Sequence, residues 1–332
     1  MSSKILDIKN ITTSFDTEAG RINAVDDISF SLNKGKTLGL VGESGCGKSV
    51  TALSIMRLLP KPVGKIEKGE VIYNGKDILK LTPDKMHEIR GGHISMIFQE
   101  PMTALNPVHK IEKQIGEMFL LHCRDLNKGG IRNRSIELLK KVGIPDPEKR
   151  LNDYPHQLSG GMRQRVMIAI ALACKPDILI ADEPTTALDV TIQAQILELI
   201  KDLQKDTGMS IIFITHDLGV IAQICDDVVV MYAGKIAETA SSAELFKNPK
   251  HPYTQGLLSS IPRLENKRKI QLNVIKGMVP GLNEIPDGCR FQNRCPYVMK
   301  ICKDQAPPMF FVNKDHYASC FLLNEKRKEK VK

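Results

Sequence analysis

The sequence predicts an α/β fold in which a mainly parallel sheet is covered by helices on both faces. Three observations predict this fold. A strand, a glycine-rich loop and a helix follow one another between residues 37 and 59, which is the order of a phosphate-binding unit. Two later apolar runs, at 177–181 and 210–215, have the length and composition of buried parallel strands. Each run follows a helical stretch, and this βαβ rhythm is typical of an α/β sheet.

Other elements are expected on either side of this core. Residues 4–41 are rich in strand signals, with apolar or alternating runs at 5–15 and 28–32. Residues from about 101 to 158 are polar and helical, which predicts an inserted helical subdomain. After about residue 240 the βαβ rhythm ends, and eight prolines between 249 and 308 predict a loop-rich appendage. A chain of 332 residues has room for one large domain and such an appendage.

The formal net charge of +9 is concentrated at the C-terminal end. Residues 263–332 contain 15 Lys and Arg against 7 Asp and Glu, whereas residues 1–262 contain 32 against 31. The large domain is therefore balanced, and no aromatic-rich basic motif indicates nucleic-acid binding. We expect the basic run at 326–332 to be a solvated tail, with weak attraction to anionic lipid headgroups as the alternative.

Membrane-spanning and secretory signals are not visible in the sequence. No run of 18 or more apolar residues occurs, and the densest apolar stretch, at 166–174, is less than half the length that spans a bilayer. The first residues lack the apolar segment and cleavage site of a secretory signal. The expected location is the cytoplasm, and at a membrane the chain would act as a peripheral subunit on the cytoplasmic face.

A phosphate-binding loop is the strongest local signal. Successive backbone N–H groups of such a loop form a nest for anions, and its glycines let phosphates approach. Lys48 is expected to contact the β- and γ-phosphates of ATP, and the Ser49 hydroxyl to bind Mg²⁺. The residues that match G-x-x-x-x-G-K-[ST] or follow it in the helix are Gly42, Glu43, Ser44, Gly45, Cys46, Gly47, Lys48, Ser49 and Val50.

Two acids stand at the end of the first late strand. Asp182 is placed to assist Mg²⁺, and Glu183 to polarise a water for attack on the γ-phosphate. Two acids after a strand are as often a helix cap or a turn. This assignment therefore depends on its combination with further motifs.

The combination resembles the ATP-binding-cassette family of transporter ATPases. Residues 158–165 read Leu-Ser-Gly-Gly-Met-Arg-Gln-Arg and resemble the LSGGQ signature, which is far rarer than the phosphate loop. Ser159 and Gly160 would open a helix that runs to about Ala173, and the N-terminal N–H groups of this helix would receive a phosphate. In the family, that phosphate belongs to ATP on the opposing subunit of a dimer.

The other family motifs occur in the expected order. The resemblance implies that Gln99 lies in the loop that senses the nucleotide and its Mg²⁺ and touches the permease, that His216 contacts the γ-phosphate, and that Phe15 stacks on adenine. Ala187-Leu188-Asp189 resembles the D-loop. The implied catalytic residues are Glu183, His216 and Gln99. The implied Mg²⁺ ligands are Ser49, Gln99 and Asp182. The implied nucleotide contacts beyond the loop are Phe15, Gln99, Ser159, Gly160, Gly161, Asp182 and Asp189.

The resemblance also implies the architecture. The implied fold is a P-loop NTPase (RecA-like) core with an antiparallel β subdomain, an inserted helical subdomain and a small loop-rich C-terminal extension. The nucleotide-binding domain would occupy residues 1–240 and the extension residues 241–332. Because Glu183 and His216 are both present, we expect ATP hydrolysis rather than binding alone.

One departure from the family pattern is Met162, which occupies the place of the signature glutamine. A methionine cannot make the hydrogen bonds of an amide, so the ATP site that this signature completes is expected to be weaker than its twin. The same departure is usual in one of the two ATPase subunits of oligopeptide and dipeptide importers. Three segments, at 97–107, 160–166 and 251–258, resemble these importers.

The importer resemblance implies several partners. They are a second, non-identical ATPase subunit, two integral membrane permease subunits and an extracytoplasmic peptide-binding protein. Importers of nickel complexes or other small solutes share much of this sequence and stay open as an alternative. A soluble cassette ATPase that acts on DNA or ribosomes is disfavoured, because the sequence has one signature and no heptad insertion.

Four of the eight cysteines cluster in the C-terminal segment, at Cys289, Cys295, Cys302 and Cys320. In a cytosolic protein, clustered cysteines favour a thiolate-bound metal over disulfides. Zinc usually uses Cys-x-x-Cys knuckles, which are absent, whereas the wide spacing and the Cys295-Pro296 step suit a [4Fe–4S] cluster. The peptide-importer ATPases have a similar segment, and some are iron–sulfur proteins. Zinc and no metal stay open as alternatives.

The surroundings of this cysteine cluster support two further expectations. Arg290, Arg294 and Lys303 could offset the negative charge of a four-thiolate cluster. A metal would serve as a structural staple, because a loop-rich appendage buries little core of its own. The scattered cysteines are expected to be small core or loop residues, namely Cys46, Cys123, Cys174 and Cys225.

Overall fold

The computed structural model describes residues 3–18, 20–123, 125–186, 188–261 and 275–324. Ala187 of the expected D-loop and the basic run at 326–332 lie outside the described residues. The strands are β1 (Lys4–Thr17), β2 (Gly20–Asn33), β3 (Thr37–Val41), β4 (Gly64–Tyr73), β5 (Lys76–Asp77), β6 (Ile94–Ile97), β7 (Ile178–Asp182), β8 (Ser210–Thr215), β9 (Asp227–Tyr232), β10 (Lys235–Ser241), β11 (Phe310–Asn313) and β12 (His316–Ala318). The helices are α1 (Lys48–Ile55), α2 (Pro83–Ile89), α3 (Pro101–Ala104), α4 (Ile111–His122), α5 (Lys128–Lys141), α6 (Pro147–Arg150), α7 (Gly160–Leu172), α8 (Val190–Thr207), α9 (Leu218–Ile224), α10 (Ser242–Lys247), α11 (Pro252–Ser259) and α12 (Lys300–Asp304).

The chain divides into two compact units. Unit 1 comprises Asn33–Lys36 and Lys80–Ile214 with the first residues of the chain. Unit 2 comprises Lys4–Leu32, Thr37–Leu79 and the chain from Thr215 onward.

Unit 2 contains an antiparallel sheet at the N-terminal end of the chain. Its strand order is β2-β1-β4-β5, and β1 pairs with β4 so that Leu6 stands opposite Tyr73 and Phe15 opposite Gly64. Apolar residues of β1 and β2, such as Leu6 and Val25, are fully buried. The expected antiparallel β subdomain is confirmed.

Unit 2 also contains the strand that precedes the phosphate loop. The strands β11, β12, β10, β9 and β3 are neighbours in that order. β3 runs parallel to β9, with Leu40 opposite Val229. All five residues of β3 are buried, which explains its continuous apolar sequence.

Unit 1 is built on three parallel strands in the order β8-β7-β6. Ile180 stands opposite both Met96 and Ile212 in this ladder. Every residue of the three strands is buried, so the runs expected at 177–181 and 210–215 are confirmed, with β7 displaced by one residue. Helices α4, α5, α7 and α8 of this unit bury apolar faces that include Phe119 and Leu139.

The C-terminal part of unit 2 has more regular structure than its proline content predicted. Pro252 occupies the first turn of α11, where its missing N–H costs nothing, and the His251 side chain caps this helix by accepting the Tyr253 N–H at 3.0 Å. β12 pairs antiparallel with both β10 and β11. Among the described residues, no helix is both long and apolar enough to cross a membrane.

Candidate nucleotide and cysteine sites

The phosphate loop of unit 2 has a backbone that only glycine permits at two positions. Gly42 has φ 153° and Gly47 has φ 100°. A Cβ atom on Gly42 would lie 2.2 Å from the Met231 carbonyl oxygen, and one on Gly47 would lie 2.7 Å from that of Ala24. The close approach of neighbouring backbone thus explains these two glycines of the motif.

Lys48 begins helix α1 at the end of this loop. Its ammonium group donates hydrogen bonds to the carbonyl oxygens of Gly42 at 2.7 Å and Glu43 at 3.1 Å. The side chain is buried, so its positive charge is held over the loop rather than in solvent. The Cys46 side chain is fully buried beside it, and this burial raises the pKa of the thiol. Cys46 is therefore a core residue, as expected.

Glu43, the second residue of the loop, has two partners from the C-terminal part of unit 2 that sequence reasoning missed. Its backbone N–H donates to the Tyr253 hydroxyl at 2.9 Å. Its carboxylate accepts from the Arg294 guanidinium at 2.6 Å and 3.0 Å. Tyr253 is fully buried, with its ring centroid 4.7 Å from that of Tyr232 and 5.5 Å from that of Phe291. The only sequence signal was the presence of Tyr253 in a segment typical of peptide importers.

Two other expected nucleotide contacts lie in unit 2. Phe15 is part-buried near the end of β1, and a Cβ atom on Gly64 would lie 3.1 Å from its ring. His216 is exposed directly after β8. The next residue, Asp217, caps α9 by accepting from the backbone N–H groups of Gly219 at 2.7 Å and Val220 at 3.3 Å. This cap fixes where the chain turns after His216.

The acids of unit 1 lie at the end of β7 as expected. Asp182 is buried as the last residue of the strand. Glu183 follows with φ 45°, and its carboxylate accepts from Gln99 Nε2 at 3.1 Å and from the Thr186 hydroxyl at 2.9 Å. A non-glycine residue with positive φ at the end of a strand is typical of a functional site. The structure thus brings Gln99 and Glu183 together.

The signature residues form the N-terminus of the 13-residue helix α7. Ser159 caps this helix by accepting the Met162 N–H at 3.3 Å, and both Ser159 and Gly160 are exposed. The buried Gln164 donates from Nε2 to the Pro184 carbonyl oxygen at 2.5 Å, which ties α7 to the segment after Glu183. The first turn of α7 is therefore open beside Gly160, with the positive end of a helix dipole.

The D-loop residue Asp189 has a local structural role. Its side chain caps the 18-residue helix α8 by accepting the Ile192 N–H at 3.0 Å. The side chain is exposed. This geometry gives Asp189 a helix-capping role.

The four clustered cysteines line one cavity in unit 2. Cys302 and Cys320 are buried, and Cys289 and Cys295 are part-buried. None of the eight cysteines forms a disulfide. Burial raises the pKa of Cys289 to about 11 and that of Cys320 to about 12, so each thiol stays protonated unless a cation stabilises the thiolate.

Among the described residues, no group of three or more His, Cys, Asp or Glu side chains is arranged to hold one metal ion. Arg290 and Arg294 differ from their expected role beside the thiolates. Arg290 pairs with Asp26 and with the Ala233 carbonyl oxygen, and Arg294 pairs with Glu43. Each guanidinium is neutralised within the protein.

The expected site residues are distributed over both units. Phe15, the phosphate loop with Lys48 and Ser49, and His216 belong to unit 2, as do the four cysteines. Gln99, Asp182, Glu183, the signature residues and Asp189 belong to unit 1. Within unit 2 the loop is joined to the C-terminal segment, and within unit 1 Gln99 is joined to Glu183.

Comparisons with known proteins agree on one family. Residues 25–186 match the model described as "ABC transporter", and residues 237–302 match "Oligopeptide/dipeptide transporter, C-terminal region". The oligopeptide transport ATP-binding protein OppD of Bacillus subtilis (strain 168) is 53% identical over 322 residues, which are 97% of this chain and 90% of that protein. The dipeptide transport ATP-binding protein DppD of the same organism is 51% identical over 328 residues, which are 99% of this chain and 97% of that protein.

A solved structure extends this similarity to the fold. The ATP-binding cassette MJ0796, in a dimeric post-hydrolysis state bound to ADP and Pi, superposes with a TM-score of 0.64 at 28% identity. The match covers 71% of this chain and 98% of that one. The predicted α/β fold with a P-loop NTPase core is therefore confirmed.

Proposed function

Because this chain belongs to the ABC transporter family and contains a match to the C-terminal region of oligopeptide and dipeptide transporters, we propose that it powers the import of di- and oligopeptides. The chain is an ATP-binding-cassette ATPase, and its relatives include ATP-binding subunits named for oligopeptide and dipeptide transport. The single observation that most supports this proposal is the match of both segments on one chain, since the second segment is specific to peptide transporters by description.

We assign the catalytic roles as follows. Lys48, Ser49 and Asp182 hold Mg²⁺–ATP, and Glu183 polarises the attacking water. Gln99 assists Mg²⁺ and joins the ATP site to the permease. His216 contacts the γ-phosphate, and Phe15 stacks on adenine. The remaining nucleotide contacts are those expected from the loop, the signature and the D-loop, namely Gly42, Glu43, Ser44, Gly45, Cys46, Gly47, Val50, Ser159, Gly160, Gly161 and Asp189.

The proposal includes a dimer with a second, non-identical ATPase. The open first turn of α7, capped by Ser159, supports phosphate binding from an opposing subunit. Two permease subunits and an extracytoplasmic peptide-binding protein complete the importer, and the chain acts peripherally on the cytoplasmic face of the membrane. We further propose residues 1–240 as the nucleotide-binding domain, with a helical subdomain at about 101–158, and residues 241–332 as the extension.

ATP binding and peptide uptake test this proposal at two levels. The purified chain should bind ATP with Mg²⁺, and Lys48→Ala should abolish binding, because the loop then lacks its cation. Cells lacking the chain should lose uptake of labelled di- and oligopeptides and regain it with the wild-type gene but not with K48A. Restored nickel uptake without restored peptide uptake would assign the substrate to the alternative.

We propose that Cys289, Cys295, Cys302 and Cys320 hold a [4Fe–4S] cluster. Their convergence on one cavity supports a shared ligand. Two thiolates on one zinc can be at most about 4.6 Å apart, twice the Zn–S bond length, whereas each thiolate of a cluster binds a different iron. A cluster therefore tolerates a wider separation of its ligands than a single zinc ion does, and the sequence contains no Cys-x-x-Cys knuckle. The cluster would stabilise the fold of the C-terminal extension by cross-linking its segments.

Metal analysis after anaerobic purification tests the cluster. We expect about four irons and about four acid-labile sulfides per chain, with a visible absorption band. Cys295→Ser or Cys302→Ser should remove them, and Cys123→Ser, a part-buried cysteine that does not line this cavity, should not. Zinc alone, or no metal, would contradict the cluster and leave the ATPase assignment intact.

A further inference from the structure

The one carboxylate of the phosphate loop is held by the C-terminal segment. Arg294 donates from Nη1 to Glu43 Oε2 at 2.6 Å and from Nη2 to Glu43 Oε1 at 3.0 Å. Parallel hydrogen bonds of this kind are stronger than single ones and fix the geometry of both groups. The Arg294 side chain is 4% exposed and that of Glu43 is 32% exposed, so the cation is removed from solvent while the carboxylate stays at the edge of the loop.

The orientation of Arg294 is also supported by contacts outside the loop. Its Nε atom donates to the Lys276 carbonyl oxygen at 3.1 Å, and Nη2 donates to that of Ile275 at 3.4 Å. The guanidinium also lies 5.8 Å from the centroid of the Tyr232 ring. Arg294 is therefore a fixed group on which Glu43 docks.

Tyr253 fixes the same loop residue through the backbone. Its hydroxyl accepts the Glu43 N–H at 2.9 Å, and its ring is fully buried against Tyr232 and Phe291. The side chain of Glu43 is thus held by Arg294 and its backbone by Tyr253. These contacts pre-form the first turn of the loop, which lowers the ordering cost of ligand binding.

The ion pair of Glu43 with Arg294 also affects the charge that the phosphates of ATP meet in the loop. The loop must receive the polyanionic tail of ATP, and a bare carboxylate at its second position would repel that tail. Arg294 cancels this charge and leaves the positive charge of Lys48 to act on the phosphates. The penalty for losing Arg294 should therefore grow with the number of phosphates on the ligand.

We propose that Arg294 is a positioning residue for nucleotide binding, which neutralises Glu43 and, with Tyr253, fixes the start of the phosphate loop. The C-terminal extension thereby sets the affinity of the loop for nucleotide phosphates. This inference rests on the proposed function, because it assumes that the loop binds ATP. Arg294 directly precedes Cys295, and its N–H donates to the Phe291 carbonyl oxygen at 3.0 Å, so the turn that holds Arg294 also lines the cysteine cavity.

The decisive variant is Arg294→Met, which keeps the aliphatic stem and removes the charge. Dissociation constants for ATP, ADP and adenosine are measured by calorimetry at low and high salt. We expect R294M to weaken ATP binding about tenfold, ADP binding less and adenosine binding not at all, and the defect to shrink at high salt. A general loss of structure would weaken all three ligands alike, without this salt dependence.

Second-site rescue separates charge from folding. Glu43→Gln in the R294M background removes the unpaired carboxylate, so ATP binding should return to within about threefold of wild type. E43Q alone changes the side chain but not the loop backbone, and it should tighten ATP binding at low salt, because Arg294 then acts as an extra cation. The matched control is Arg290→Met, a part-buried arginine four residues before Arg294 that pairs with Asp26 and should leave ATP binding unchanged.

The outcomes are distinguishable. Wild-type protein that binds ATP, together with R294M that binds equally well or a double variant that is not rescued, would overturn this inference alone. Wild-type protein that binds no ATP would overturn the proposed function as well. If R294M does not fold, E43Q decides, since a tenfold loss of ATP affinity in that variant would contradict the neutralising role of Arg294.

Discussion

Gln99 donates a hydrogen bond from Nε2 to Glu183 Oε2 at 3.1 Å, across 84 residues of sequence. The Thr186 hydroxyl donates to the same oxygen at 2.9 Å, and the Glu183 N–H donates to the Ile214 carbonyl oxygen at 2.9 Å. Glu183 is thus fixed at both its backbone and its carboxylate. A carboxylate held in this way has the pre-organisation that a general base requires.

Glu183→Gln should separate ATP binding from hydrolysis. The amide keeps the size of the side chain but cannot accept a proton, so ATP turnover of the assembled importer should fall by about 10²–10⁴-fold. The dissociation constant for ATP should stay within about threefold of wild type, because binding depends on the phosphate loop. Size-exclusion chromatography of E183Q with its partner ATPase should show a dimer that forms with ATP and persists.

The matched control for this variant is Glu198→Gln, an exposed acid on α8 of the same unit. It should leave both turnover and dimerisation unchanged. Undiminished turnover in E183Q would remove Glu183 from its catalytic role.

Gln99→Glu should shift the pH dependence of hydrolysis. It places a second carboxylate about 3 Å from Glu183, and two carboxylates at such a distance cannot both ionise easily, so the pKa of one rises. A base with a raised pKa is protonated at higher pH, so the acid limb of the pH–rate profile should move to higher pH by about one unit or more. Gln99→Ala removes one hydrogen bond and adds no charge, so it should lower the rate and move this limb much less than Q99E does. An unshifted limb in Q99E would contradict the coupling of the two residues.

Phe15→Trp should report adenine binding directly. The chain contains no tryptophan, so the variant has a single emitting indole. Stacking on adenine should change its fluorescence as ATP is added, and Phe15→Ala should weaken ATP binding about tenfold or more, since base–aromatic stacking contributes about 1–3 kcal/mol. Phe311→Trp, at an exposed aromatic of β11, is the control and should not respond. Unchanged fluorescence in F15W would contradict adenine stacking at this residue.

Local patterns predicted those parts of the molecule that local chemistry determines. The glycines of the phosphate loop, the cap at Ser159 and the strand that ends in Asp182 each occupy fewer than ten consecutive residues, and the structure has them where they were expected. Helix α1 ends at Ile55 rather than at 59, and Arg57 has φ 52° shortly before Pro60. A boundary of this kind depends on packing that the sequence pattern does not contain.

Contacts between distant parts of the chain could not be predicted in this way. Arg294 and Glu43 are 251 residues apart, and Arg294 was expected beside the thiolates instead. The resemblance implied that Gln99 and Glu183 serve one nucleotide but not that they bond to each other. Both pairs depend on how separate segments fold against one another, which residue type and spacing do not determine.

A buried acid in unit 2 has a structural role that stability measurements can test. The fully buried Glu238 accepts from the Lys250 N–H at 2.7 Å, from the His251 N–H at 2.8 Å and from His316 Nε2 at 2.7 Å. These contacts join β10 to the start of α11 and to β12. Glu238→Ala would leave three donors without an acceptor, two of them on the buried residues His251 and His316, so we expect the free energy of unfolding to fall by about 3–5 kcal/mol.

Urea unfolding followed by circular dichroism, with hydrogen exchange of β10 and β12, measures this loss. The control is Glu244→Gln, which changes a more exposed carboxylate 3.6 Å from Nδ1 of the same His316. Since Glu244 lies partly in solvent, E244Q should change the unfolding midpoint much less than E238A. Exchange in E238A should accelerate first in β12, because it pairs with β10 at Glu238 itself. Equal unfolding midpoints for E238A and E244Q would show that Glu238 does not stabilise the contacts of β10 with α11 and β12.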